Sequence, residues 1–313
     1  MKMRIESCTV CGNHESTTVS TKYEKLEVDR LKYELRKCSN CSHIFTFFYA
    51  DVELNKYYDE GDYTVRDTRK SIYYKIQALD NNKILNTLDR LSPGKELLDF
   101  GCGKGTFLSF AIRKGFVVAG VETSKPRADY AANTFNIAVN RDFYSKGQIF
   151  NRKFSIITIF HVLEHLENVK DLFKNLVNDN LKPDGIVVIE VPNFGSWQSR
   201  WAGKRWLHLD IPRHVNHFTA DSLEKFVNDC GLKTIKKGTF SWYMGIIGMA
   251  QSLMSLLGYK GFLIGDLKFK KNKRLLLALG TVLPFAFALE CLSCLFNSGG
   301  VLSYYLKYEH ISD

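Results

Sequence analysis

Residues 96–108 constrain this chain more than any other stretch. Glu96-Leu97-Leu98-Asp99-Phe100 reads as a short buried strand, Gly101-Cys102-Gly103-Lys104-Gly105 as a glycine turn, and Thr106-Phe107-Leu108 as the start of a helix. Glycines clear side chains from a turn that a ligand must approach closely, and they allow backbone angles other residues avoid. The following helix offers free N–H groups and the positive end of its dipole, which suit an anionic group.

Two cofactor classes use such a turn. A dinucleotide fingerprint, G-x-G-x-x-G, wants glycine where this chain has Thr106. Here an acid, Asp99, ends the strand, and G-x-G-x-G follows. Asp99-Phe100-Gly101-Cys102-Gly103-Lys104-Gly105 resembles motif I of class I S-adenosylmethionine (SAM) methyltransferases. A carboxylate there suits a ligand carrying an ammonium group. The next apolar run, residues 116–121, meets Glu122, an acid placed for the ribose hydroxyls of either cofactor. The resemblance implies SAM bound by Asp99, Gly101, Cys102, Gly103 and Glu122, with Asp142 and Phe143, past the third strand, near adenine.

From residue 93 strand and helix patterns alternate. Strands are expected at 95–100, 116–121, 137–139, 154–160 and 185–191, and helices at 105–114, 124–134 and 168–180. This is an α/β, doubly wound, Rossmann-like methyltransferase core, whose ligands sit at the carboxyl ends of parallel strands. Residues 232–240 and 301–308 complete a seven-stranded sheet and pair antiparallel in this fold. The fourth strand ends in Phe160-His161-Val162, not the Asn/Asp-Pro-Pro-aromatic motif of enzymes that methylate amino groups of bases.

Cys8-x-x-Cys11 and Cys38-x-x-Cys41, with 26 residues between them, have the spacing of a four-thiolate zinc ribbon. Such a Zn²⁺ is structural, because four thiolates leave no open position. A redox pair or unligated thiols are the alternatives. The boundaries expected are a ribbon at 1–48, a helical connector at 49–92, and a SAM-dependent domain at 93–313. Residues 1–6 lack the apolar core of a signal peptide, so a cytoplasmic site is expected. The net charge of +10 favours anionic partners: nucleic acid, an anionic membrane or a phosphorylated substrate.

Residues 206–219 place His208, His214, His217 and Arg213 on a loop after the fifth strand, just before a helix capped by Thr219. Methyl transfer is an in-line displacement in which the acceptor loses a proton, and histidine titrates near neutrality. Arg213-His214-Val215-Asn216-His217-Phe218-Thr219 is similar to the Glu-His-Leu-x-Tyr-Phe-Ser segment of zinc-containing sugar C-methyltransferases. The resemblance implies His214 as general base. His217 and His161 are the competing candidates, and His161 also belongs to the expected cofactor set. Arg213 and His217 replace the family's Glu and Tyr. The closest group resembles methyltransferases of bacterial surface polysaccharides.

Residues 241–298 form an apolar insertion between the last two strands. Two apolar stretches, 243–264 and 275–296, flank a basic bridge at 266–274. Both ends return to one sheet, which excludes a single crossing, and a hairpin would carry five cations through the bilayer. A helical pair lying on an anionic membrane, a cap over the site and a dimer contact remain open; the oligomeric state is left open too.

The reading is SAM-dependent methyl transfer to a sugar or glycan precursor, nucleotide- or lipid-linked. The rivals are an RNA methyltransferase, disfavoured by the insertion and the fourth strand, and a catalytically silent zinc-ribbon, SAM-binding protein.

Overall fold

The computed structural model describes residues 2–20, 23, 26–58, 65, 67–269 and 273–309. Six short strands come first: β1 (Lys2–Met3), β2 (Ser16–Thr18), β3 (Leu26–Val28), β4 (Leu31–Cys38), β5 (Ile44–Phe48) and β6 (Val52–Glu53). Helix α1 (Ile72–Leu91) follows, with Ser71 capping it by accepting from the Tyr74 N–H.

The core then runs β7 (Glu96–Phe100), α2 (Thr106–Arg113), β8 (Val117–Val121), α3 (Lys125–Phe135), β9 (Ala138–Asn140), β10 (Phe154–Phe160), α4 (Val169–Asn180), β11 (Leu181–Pro192) and α5 (Trp197–Ala202). After it come β12 (Asn216–His217), α6 (Ala220–Asn228), β13 (Leu232–Gly238), α7 (Met244–Leu256), α8 (Leu263–Phe269), α9 (Lys273–Leu295) and β14 (Val301–Tyr308).

Seven strands form one sheet in the order β13-β14-β11-β10-β7-β8-β9. The five from β11 to β9 are parallel; β14 runs antiparallel to both β11 and β13. This is the expected Rossmann-like methyltransferase sheet. Its central strands are apolar on both faces because helices cover both. Leu97, Ile156 and Val188 pack under α1 and α2, while Leu98, Ile157 and Val187 face α4 and α6. Thr219 and Ser222 close a capping box at the start of α6.

The N-terminal strands join the second of these faces, where Tyr33, Phe45 and Phe48 are buried. One pairing was not visible in the sequence. β12, in the histidine loop, adds antiparallel to β5, with Asn216 opposite Phe45 and His217 opposite Ile44. The first apolar stretch also differs from a single continuous run. Gly258, at φ +91°, ends its helical course, and the chain resumes as α8.

Candidate functional site

The glycine turn sits at the carboxyl end of β7. Gly101, Gly103 and Gly105 all have positive φ (84°, 54° and 70°), the left-handed region where a Cβ is costly. At Gly101 a Cβ would also meet Val162 Cγ2 at 2.4 Å, whereas at Gly103 it would meet nothing within 4 Å. Glu122, at the end of β8, accepts from the Gly103 N–H at 2.9 Å and the Ser124 N–H at 2.7 Å. Asp99 is 3% exposed and accepts from the Thr158 hydroxyl at 2.7 Å. Burial pushes its carboxyl up to about 7 against that hydrogen bond, helped by the Glu122 charge. A buried carboxyl of this kind ionises when a cation arrives. Asp142 and Phe143 lie on an exposed segment after β9, and a depression of about 170 Å³ there is lined by Asn140, Asp142, Phe143 and Tyr144. Cys102 lies buried in the turn, its Sγ 2.5 Å from where a Cβ on Gly120 would fall.

Cys8, Cys11, Cys38 and Cys41 bring four thiol sulfurs within 4.8 Å of one another. Cys8–Cys41 and Cys11–Cys38 are each 3.5 Å apart. A tetrahedron of Zn–S bonds near 2.3 Å has edges of about 3.8 Å, so the donor set fits zinc.

A second group, Glu164, His165 and His214, also has donor atoms within 4.8 Å. Glu164 is 1% exposed, and among the described residues neither carboxylate oxygen has an aligned hydrogen bond. Burial alone would raise its pKa, but His161, His165 and His214 hold it down to about 2. His214 Nδ1 lies 2.8 Å from the His208 carbonyl, an acceptor, so it carries the proton. Its Nε2 lone pair then faces Asp210, whose Oδ2 is 3.7 Å away. The group therefore gathers His214, Glu164 and His165, with Asp210 3.7 Å from His214 Nε2, on the side of the ring away from the protonated Nδ1.

The two rival histidines differ. His217 Nε2 is 2.8 Å from Thr46 Oγ1, and that hydroxyl already donates to the His214 carbonyl at 2.9 Å. The hydroxyl therefore accepts from His217 Nε2–H, which leaves no lone pair on that nitrogen. Burial holds His217 well below the usual histidine range, with the His214 and His43 charges adding. His161 follows β10 at φ +54° and lies 3.3 Å from both Glu164 and Glu190. Burial would lower its pKa, but the two carboxylates overcome it and push it up to about 10. At neutral pH it keeps its proton. His208 does not converge with His214 and His217 on a metal position among the described residues; it lines the wall beneath α7, where a Cβ on Gly248 would fall 3.3 Å from its Nε2.

Asn216 ties these parts together and went unnoticed in the sequence. Its Oδ1 receives Thr9 Oγ1–H and lies 3.1 Å from His43 Nε2. Its amide nitrogen donates to the Leu163 and Leu166 carbonyls at 2.8 and 2.7 Å. The cysteine knuckles, the segment after β10 and the histidine loop thus share one buried side chain. Glu164 and His165 were equally missed, although both stand in the stretch after the fourth strand; only their convergence with residue 214 gives them a role.

Burial also has a pH consequence. His208 is pushed down to about 3 by burial and by the His161 and His214 charges, and His217 is lowered as well. Both are neutral when folded and take protons when unfolded, so the unfolded state binds more protons as pH falls below about 6.5. Stability is then lost at about 1.4 kcal/mol per pH unit for each. Thermal melts between pH 7.5 and 5 should show falling Tm, and His208→Gln should flatten the slope. A pH-independent Tm across that range would contradict the burial argument.

A family profile described as a methyltransferase domain matches residues 74–237. The ubiquinone biosynthesis O-methyltransferase of Rickettsia bellii (strain OSU 85-389) is 33% identical over 105 residues, covering 31% of this chain and 42% of its own length. That of Rickettsia canadensis (strain McKiel) is 26% identical over 171 residues, 52% of this chain and 64% of its own. The chain therefore spans less than two thirds of the length of these relatives. An O-methyltransferase from a trans-AT PKS multienzyme of Brevibacillus brevis, solved with S-adenosyl-L-homocysteine, aligns at TM-score 0.48 and 14% identity over 77% of each chain. With the profile spanning more than half of its 313 residues, the chain belongs to the methyltransferase-domain family.

Proposed function

We propose that this protein catalyses SAM-dependent methyl transfer to a sugar or glycan precursor, nucleotide- or lipid-linked, at the inner face of the membrane, with His214 accepting the acceptor's proton. The observation that carries the reading is His214, its Nδ1–H held by the His208 carbonyl at 2.8 Å and its ring grouped with Glu164, His165 and Asp210. SAM would supply an electrophilic methyl on a sulfonium. This chain's residues do the rest. Asp99 meets the ammonium end, Glu122 faces the ribose, and the Gly103 backbone leaves room for close approach. Asp142 and Phe143 border the adenine. His214 orients a hydroxyl or activated carbon and removes its proton; Glu164 and Asp210 stabilise the imidazolium. In this division, residues 1–48 are a zinc ribbon on Cys8, Cys11, Cys38 and Cys41, 49–92 a connector, and 93–313 the transferase.

A precursor in ubiquinone biosynthesis is the second reading of the acceptor, favoured by the relatives, which are ubiquinone biosynthesis O-methyltransferases. Mass spectrometry of surface glycan, lipid-linked precursor and quinone, with and without this protein, separates the two. A missing methyl on glycan or its precursor supports the first; a demethylated quinone precursor with unchanged glycan overturns it.

The cofactor half is tested apart. Gly103→Leu places a side chain in open space without the Val162 clash that a change at Gly101 brings. It should weaken SAM binding about 10- to 100-fold, the range set by overpacking costs of 1–3 kcal/mol. Calorimetry giving the wild-type affinity would remove SAM from this turn.

A further inference from the structure

The insertion is inside out. Helix α9 buries Leu275, Leu279, Ala286, Glu290 and Ser293. Glu290 and Ser293 are fully buried, though Thr281 is exposed: Glu290 accepts from Gln198 Nε2–H at 2.7 Å and from the Gly300 N–H at 2.8 Å. Outward it shows Leu277 (73% exposed), Phe285 (68%), Leu295 (79%) and, just past its end, Phe296 (64%). Between 275 and 295 no residue but the buried Glu290 carries a charge. This charge-free outer face runs about 31 Å, at 1.5 Å per residue. An 18-residue window of α9 has mean hydropathy 2.1 with only 22% of it buried, so it is not a core helix.

Three features indicate what covers it. Lys273 and Arg274 stand at its start, and α5, which carries Arg200, meets its end where Trp197 stacks on Phe296 at 5.7 Å. Tryptophans 37% exposed, Trp201 and Trp242, border the stripe, Trp242 stacked on Phe287. No acidic residue lies between Asp266 and Glu290. Aromatic borders and flanking cations around a charge-free stripe match the layers of an anionic bilayer surface. The helix cannot cross: α9 ends five residues before β14, and α7, its packing partner, spans only 13 residues, about 20 Å.

We propose that the outer face of α9 lies in the interfacial zone of an anionic membrane. α7 separates that face from His208, so the histidine cluster works close to the lipid. Resting on the function proposed above, this selects a lipid-carried acceptor over a soluble nucleotide-linked one. The basic positions Lys270 and Lys271 lie outside the described residues.

Sedimentation of the full chain with vesicles tests the docking without reading activity. Wild type should bind phosphatidylglycerol-containing vesicles, weaken as salt rises, and bind pure phosphatidylcholine poorly. Leu277→Glu with Phe285→Glu should lower partition by at least about tenfold, with circular dichroism unchanged because both side chains point outward. Lys273→Glu with Arg274→Glu should weaken anionic binding by a similar factor. Absence of vesicle binding overturns the proposal, as does binding that survives the double glutamate change. A concentration-dependent dimer in ultracentrifugation, abolished by Leu277→Glu with Phe285→Glu and without vesicle binding, would assign the face to a second copy. If docking holds but only soluble nucleotide-linked sugars are methylated, the acceptor assignment fails and the membrane face stands.

Discussion

His214→Ala should lower turnover by about 10²–10⁴-fold, the usual contribution of a positioned base, and leave SAM affinity as it was. The turn that would hold SAM and the loop that holds His214 are separate elements, the first anchored on β7 and β8, the second on β12. The loss should therefore fall on kcat. Companion variants distinguish roles. His217→Ala removes a hydrogen bond to Thr46 but no lone pair aimed at the acceptor, so its effect should be smaller and partly structural. His161→Ala leaves Glu164 without its nearest cation. A charge-neutral His161→Gln should restore part of what alanine loses, which a base could not do. If His214→Ala keeps near wild-type turnover while His217→Ala does not, the loop is correct and the residue wrong. If none of the three matters, the acceptor is acidic enough to need no base.

Cys38→Ser should remove bound zinc, from about one equivalent per chain to a small residue, and should also impair turnover by at least about tenfold. Four-thiolate sites supply folding energy to small domains that lack a large core. Cys38 ends β4, which pairs along β5, and β5 pairs with β12 two residues past His214. Loosening the N-terminal sheet thus removes the support of the loop, while the glycine turn, anchored on β7 and β8, keeps its own contacts. Metal analysis, SAM calorimetry and turnover should be measured on the same preparation. Zinc lost with full turnover would uncouple the two; SAM affinity lost along with zinc would mean that the ribbon supports the whole core.

Periodic features were legible. The turn, the parallel strands, the antiparallel last pair and the Thr219 cap are local patterns, and each appears within a residue or two of its expected place; only β11 starts earlier, at Leu181. The cysteine cluster is also local: two knuckles of fixed spacing. What escaped was pairing across distance. Nothing in Asn216-His217 marks a two-residue strand, because its register is set by β5, whose Phe45 and Ile44 are 171 and 173 residues away in sequence. Glu164 looks like an ordinary acid beside a short helix until its neighbours from residues 161, 165 and 214 are in place. The first apolar stretch looked continuous because hydropathy does not register the turn at Gly258.

The β5–β12 ladder also limits how such proteins can recombine. A zinc ribbon that packed against its enzyme through side chains alone could be exchanged or deleted as a cassette. Here a strand of the N-terminal sheet is contributed by the loop that carries the proposed base, and Asn216 accepts from Thr9, between the first two cysteines. Cutting the chain after residue 48 would strand buried hydrogen-bond partners on both pieces. A chimera would keep its loop geometry only if the ribbon and residues 206–219 travelled together, so the two segments, distant in sequence, form one inheritable unit.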